Sequence, residues 1–221
     1  MPWSHSSLAS IVALEADFEK YLDAFLPFLV EGLRNHEEHQ LCTISVGIVG
    51  DVCRSLAERA TKYSETLVLA LFEDLQSPVL HRNVKPHILS CFGDIAMAIG
   101  PAFESYLPTA MAVLQQASMV QNAPDTADYE MVEYVNDLRE GIAEAYVGIV
   151  SGFRMAGKAD VLLPYMDYTL AFVGLVASDS IDRSETLLRS TIGLVGDLAT
   201  AYPTGPVMVK LQQPWVFEYI K

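Results

Sequence analysis

Cations are scarce in this 221-residue chain, where 14 Lys and Arg stand against 28 Asp and Glu and leave a formal charge of −14. Nucleic-acid binding needs clustered Lys and Arg to meet phosphates, so that class of partner is not expected. The balance favours basic partners instead, with plain solubility as the simpler account of the same charge. Cysteine is scarce too. Cys42, Cys53 and Cys91 are odd in number, unpaired in spacing and set in apolar helical contexts, which predicts buried free thiols rather than a disulfide framework. No unbroken apolar run reaches the roughly 18 to 20 residues of a membrane span. The richest, from Leu41 to Cys53, is interrupted by Thr43, Ser45 and Asp51. The opening MPWSHSSLAS has no basic start leading into an apolar block, the pattern of a secretory leader. Together these give the expectation of a soluble, intracellular chain without a membrane partner.

Chemistry-bearing motifs are missing as well. His36 and His39 enclose HEEH, which is not the HExxH spacing that sets two imidazoles on one helical face. His81 and His87 stand six apart, about 120° from a shared helical face. No serine, cysteine or lysine stands in a nucleophile motif. Neither an enzyme nor a metal centre nor a bound cofactor is expected.

What is present is apolar and repetitive. Hydrophobic residues make up 51 % of the chain. The phrase SVGIVGDVCRSLA (45–57) returns as SCFGDIAMA (90–98) and TIGLVGDLATA (191–201), with a degenerate copy YVGIVSGFRMA (146–156) in which Gly152 replaces the aspartate. Aligned on Asp51, Asp94, Gly152 and Asp197, the copies step by 43, 58 and 45 residues. A period of about 40 to 47 residues with helical patterning and no strand alternation belongs to the HEAT and armadillo class. A Leu-Pro marker precedes three of the four copies, at Pro27, Pro108 and Pro164. Each unit is therefore read as an A helix, often kinked by an internal proline, followed by a B helix carrying the glycine-aspartate phrase.

The expected fold is all-α: a HEAT-repeat solenoid, a right-handed superhelix of A/B helix pairs. Its units fall at about 17–60, 61–100, 101–158 and 159–203, with partial units at 6–16 and 204–221. A helices are expected near 17–35, 62–77, 101–120 and 160–177, and B helices near 37–59, 79–99, 127–156 and 183–202. In the first B helix Leu41, Ile44, Ile48, Val52 and Leu56 form an i, i+3/i+4 stripe, widened by Val46, Val49 and Cys53. Gly47, Gly50, Gly93, Gly193 and Gly196 are expected to let neighbouring helices approach closely, offsetting the roughly 1 kcal/mol each costs inside a helix. The exposed apolar ends of the partial units predict self-association.

Two sets of carboxylates are candidates for binding. Asp51, Asp94 and Asp197 recur once per unit, either accepting a hydrogen bond from the next unit or forming a column that faces a basic ligand. The helix at 126–150 carries Glu130, Glu133, Asp137, Glu140 and Glu144 at spacings of 3, 4, 3 and 4, an arc of roughly 80°. Like charges at these spacings repel by a few tenths of a kcal/mol per pair, and solvated faces usually mix signs. An all-acidic arc is therefore read as a surface that meets Lys and Arg. Phe25, Phe28, Tyr63 and Phe72 on the A helices are read as core, or alternatively as lining grooves between successive A helices.

Whole segments carry a more specific signal. FLPFLVEGLRNHEEHQLCTISVGIVGDVCRSLAE (25–58), HRNVKPHILSCFGDIAMAIG (81–100), YLPTAMAVLQQAS (106–118) and DYEMVEYVNDLREGIAEAYVGIVSG (128–152) resemble, in order and spacing, the C-terminal HEAT repeats of the importin β (karyopherin β) family of nuclear import receptors. The resemblance runs from about Leu8 to Tyr202 and corresponds to about the last quarter of such a receptor. It implies B helices on a concave face that grips the basic N-terminal segment of importin α, or basic cargo, and A helices on a convex face that meets phenylalanine-glycine nucleoporins. By position, the 130–144 arc would grip the basic segment, and Phe25, Phe28, Tyr63 and Phe72 would contact nucleoporins. The resemblance also implies that the GTPase Ran binds mainly the N-terminal half of the receptor, and a location in cytoplasm, nucleus and nuclear pore. The competing reading is a structural HEAT spacer with no ligand of its own.

Overall fold

A computed structural model describes residues 19–121, 129–179 and 183–221. The partial unit expected at 6–16 lies outside the described residues. The chain forms helices α1 (Glu19–Leu33), α2 (His39–Leu56), α3 (Thr61–Gln76), α4 (Lys85–Ile99), α5 (Leu107–Ser118), α6 (Tyr129–Met155), α7 (Met166–Ser178), α8 (Glu185–Ala201), α9 (Pro206–Leu211) and α10 (Pro214–Tyr219). Among the described residues there is no strand. The pairs α1/α2, α3/α4, α5/α6 and α7/α8 stack in sequence as a HEAT-type solenoid, and the B helices α2, α4, α6 and α8 pack side by side as one continuous layer. The partial unit expected at 204–221 is a pair of short helices seated through Val207, Leu211 and Val216.

Proline shapes the A helices differently from the sequence expectation. Of the three marker prolines, Pro27 alone lies in the interior of an α-helix. Pro108 sits in the first turn of α5 after the 3-10 segment Gly100–Ser105, and Pro164 lies in the 3-10 segment Ala159–Tyr165 that leads into α7. Proline has no N–H to give, so it is tolerated at a first turn where that donor is unpaired in any case. The marker therefore records a 3-10-to-α junction in two of its three occurrences.

The core is continuous along the stack. In α2 the buried side is Cys42, Val46, Val49, Val52, Cys53 and Leu56, with Ile48 beside it. Ile44, placed in the core stripe by its spacing, is 44 % exposed and shares its side of the helix with Gly47. The three cysteines are buried and free. Arg82–Ser105 and Ala159–Ser178 are long and apolar enough, by length and composition, to cross a bilayer. In the fold, α4 and α7 within those stretches bury Ile88, Phe92 and Ile95, and Leu170, Phe172 and Val173, against neighbouring helices.

Close backbone approach concentrates at one crossing, between α4 and α6. A Cβ added at Gly93 would lie 2.6 Å from the carbonyl oxygen of Glu144, and one at Gly148 would collide with the Gly93 backbone. Gly141 and Gly152 meet the backbones of Pro86 and Ala96 in the same way. Gly50 is tight against the Asp94 carboxylate, whereas Gly47, Gly193 and Gly196 have open space around them. The sequence phrase thus overstates the packing role of the last three and misses Gly141, Gly148 and Gly152. Ala57 closes α2 at φ +49, the backbone state that Gly100 adopts at φ +51 after α4.

Candidate partner-binding surface

The layer of B helices presents a wall on which the sequence-predicted carboxylates gather. On α6, Glu130, Glu133, Asp137 and Glu144 are exposed and Glu140 is half-buried. The opposite side of that helix buries Val135, Leu138, Ile142 and Ile149, which fixes the acidic arc outward. Arg82 reaches Glu130 at 3.3 Å while lying over the Tyr134 ring. Among the described residues no ion pair reaches Glu133, Asp137, Glu140 or Glu144. Glu144 instead accepts from the Ser90 hydroxyl at 2.6 Å, and Glu140 accepts from Ser184. Ser184 also caps α8 through the Leu187 amide, so the side-chain contact ties α6 to the next B helix. Arg139, adjacent in sequence to this arc, turns into the core and pairs with Asp179 at 2.5 Å, so it gives the arc no relief. Burial pushes the Asp137 carboxyl up, Glu140 and Glu133 add to the rise, and His87 opposes it.

Two clefts open between B helices along this wall. One of about 330 Å³ lies between α2, α4 and α6, lined by Gly47, His87, Ser90, Asp137, Glu140 and Glu144 among others. The next, of about 480 Å³, lies between α4, α6 and α8, with Met97, Val147 and Gly193 beside Glu144, Asp197 and Arg189. The open glycines Gly47 and Gly193 deepen these grooves, a role the sequence reading assigned to helix packing. The second groove sets the apolar surfaces of Met97 and Val147 beside the carboxylates of Glu144 and Asp197.

Asp51, Asp94 and Asp197 lie on the same wall but are already engaged. Arg54 pairs with Asp51 of its own helix at 2.6 Å and with Asp94 of the next B helix. Arg154 pairs with Asp197 at 3.3 Å. Asp94 and Asp197 therefore meet an arginine from the preceding B helix, not a donor from the following unit, and the three do not form a column of free charge. The signal available in the sequence was an arginine three residues after Asp51, and Arg154 just past the degenerate glycine.

The aromatics divide. Tyr63 is 3 % exposed, and Phe72 is buried with its ring 4.9 Å from that of Phe92. Neither can line an open groove, because each spends its surface on the core. Phe28 is 62 % exposed, Phe25 is half-buried, and Tyr21 on the same helix is as open as Phe28. His36 comes together with Cys42 and Asp74, three metal-ligating side chains whose donor atoms all lie within 4.8 Å of one another.

Comparison with known proteins agrees with this architecture. The profile of the family described as "Importin subunit beta-1-like, TPR repeats" matches residues 5–221. Importin subunit beta-1 of Schizosaccharomyces pombe is 45 % identical over 208 residues, covering 94 % of this chain and 24 % of that protein. Importin subunit beta-1 of Arabidopsis thaliana is 44 % identical over 183 residues, covering 83 % and 21 %. Among solved structures, importin beta crystallised from ammonium sulfate superposes with a TM-score of 0.90 at 43 % identity, over 96 % of this chain and 24 % of that one. Kap95p bound to RanGDP and the Kap95:Nup1 complex each give a TM-score of 0.87, at 33 % and 32 % identity, over 96 % of this chain and 24 % of theirs. The chain thus spans about a quarter of the length of the relatives it matches. Helix pairing, repeat period and profile agree, and the chain belongs to the importin subunit beta-1 family.

Proposed function

We propose that this chain is a C-terminal segment of a nuclear import receptor, a non-enzymatic module that holds a basic helical peptide against the α6 wall. The observation that carries the reading is the run of Glu133, Asp137, Glu140 and Glu144, free of ion pairs among the described residues and set beside two grooves. Four like charges on one arc carry a standing repulsion that a cationic ligand relieves. The basic N-terminal segment of importin α, or a basic cargo protein, has the required charge. Asp51, Asp94 and Asp197 contribute field at most, since arginines already pair with them. Phenylalanine-glycine nucleoporins would meet the outer layer at Phe25 and Phe28, a reading supported by the likeness to Kap95 in its Nup1 complex. Ran, which binds Kap95p in another neighbour, is assigned mainly to parts of the receptor beyond this chain. These roles place the receptor in cytoplasm, nucleus and nuclear pore.

The test is a titration of the basic N-terminal peptide of importin α into the protein at low and moderate salt. Affinity should fall as salt rises, because exposed charge pairs are screened within about 10 Å at 0.1 M. It should fall by roughly tenfold or more in Glu133→Lys with Asp137→Lys, at about 1.4 kcal/mol per tenfold. No binding at low salt would support a structural spacer instead.

A further inference from the structure

The joint between the first two helix pairs holds a second, unrelated cluster. His36 lies in the α1–α2 turn, Cys42 in the first turns of α2, and Asp74 near the end of α3. Cys42 and Asp74 are buried, His36 is half-buried, and the donor atoms of all three lie within 4.8 Å of one another. His36 Nε2 stands 3.0 Å from Asp74 Oδ1, and its Nδ1 is 3.1 Å from the Ser77 hydroxyl. The Cys42 thiol donates to the Leu33 carbonyl at 2.9 Å. Asp74 Oδ2 is closed off from solvent and has no hydrogen-bond partner among the described residues. A buried carboxylate oxygen without a partner is costly, and such groups are ordinarily satisfied by a donor or a cation.

We propose that His36, Cys42 and Asp74 bind one divalent transition-metal ion of the zinc class. The donor set decides the metal: one imidazole nitrogen, one sulfur and one carboxylate oxygen suit Zn²⁺, whereas Mg²⁺ and Ca²⁺ take oxygen ligands. Loading breaks the Cys42 S–H bond and forms a sulfur–metal bond, and the released proton leaves to solvent. His36 keeps one ring proton, held on Nδ1 and donated to Ser77 Oγ, while Nε2 turns its lone pair to the ion. Two anionic ligands and a dication leave the site neutral, which removes the penalty on the buried Asp74 carboxylate. Because the ligands come from the first pair and from α3 of the second, the ion would fasten the two units together beside the Arg34–Glu73 contact at 2.7 Å. The site is separate from the acidic wall and does not depend on the proposed function.

The experiment uses the whole chain after treatment with a chelator, titrated with Zn²⁺ by calorimetry and with Co²⁺ by absorbance. One equivalent should bind, with a thiolate-to-cobalt charge-transfer band and the intense visible bands of a tetrahedral ion, and saturating Zn²⁺ should raise Tm. Cys42→Ala and Asp74→Asn should each weaken binding on the order of 100-fold or more, Ser77→Ala by about tenfold, and Cys53→Ala not at all. Far-ultraviolet dichroism of each metal-free variant checks that it is folded, and Cys42→Ala changes one buried small side chain. Absence of the charge-transfer band overturns the proposal. So does undiminished binding in Cys42→Ala, which would place the cation elsewhere, for instance on the α6 carboxylates.

Discussion

Two glycine-to-alanine substitutions, chemically identical and both within B helices, should move stability in opposite directions. A Cβ at Gly148 would lie 2.5 Å from the Cα of Gly93 and closer still to its carbonyl oxygen. Both neighbours are backbone, so relief requires α4 and α6 to separate along their whole crossing. Overpacking a well-filled site costs about 1 to 3 kcal/mol, and a backbone-on-backbone collision belongs at the upper end. Alanine returns about 1 kcal/mol of helix propensity, which leaves Gly148→Ala destabilised by about 2 kcal/mol. At Gly193 nothing stands within 4 Å of the added methyl, so the propensity gain is unopposed and stability should rise by about 0.5 to 1 kcal/mol. Thermal unfolding followed by circular dichroism reads the difference. At about 2 to 4 °C per kcal/mol for a chain of this size, Gly148→Ala should lower Tm by about 4 to 8 °C and Gly193→Ala should raise it by a few degrees. Equal shifts, or a neutral Gly148→Ala, would refute the claim that this crossing is set by contact between the two backbones.

Other substitutions follow the same logic. Ala57 holds φ +49 where the equivalent position uses Gly100, so Ala57→Gly should stabilise by about 1 kcal/mol by relieving a conformation that L side chains disfavour; a loss measured by urea unfolding would contradict that. The Tyr146 hydroxyl is buried without a partner among the described residues, so Tyr146→Phe should be neutral or stabilising by about 1 kcal/mol, and a large loss would mean that the hydroxyl is bonded. The raised Asp137 pKa means that the folded state holds its proton to higher pH than the unfolded chain does. Stability from this group is present at low pH and is lost as pH rises through the raised value. Cationic peptide affinity should correspondingly weaken as pH falls into the window just above the ordinary carboxylate range, and Asp137→Asn should remove that step from the profile.

Much of the architecture was legible because a solenoid repeats its own grammar. The spacing of Asp51, Asp94 and Asp197 located the B helices, and like charges at 3 and 4 residues put the α6 arc on one side. What the sequence hid was pairwise and long-range. Arg54 looks like a solvated residue until α4 brings Asp94 to it. Gly148 is tight and Gly193 open although both stand in glycine-bearing B helices, because tightness depends on which backbone crosses there. Ile44 satisfied the apolar periodicity yet faces outward, since a helix apolar nearly all round leaves its periodicity ambiguous. His36 and Asp74 meet only through the packing of α3 against α1, so no local motif announced them.

The most direct measurement is a charge-swap titration between the α6 wall and a basic peptide. The importin-α N-terminal peptide should bind the unmodified chain at low salt, Glu133→Lys with Asp137→Lys should weaken it by roughly tenfold or more, and the neutral pair Glu133→Gln with Asp137→Asn should weaken it less. Unchanged affinity in the doubly substituted chain, with its helicity intact, would contradict the assignment of this wall as the binding surface.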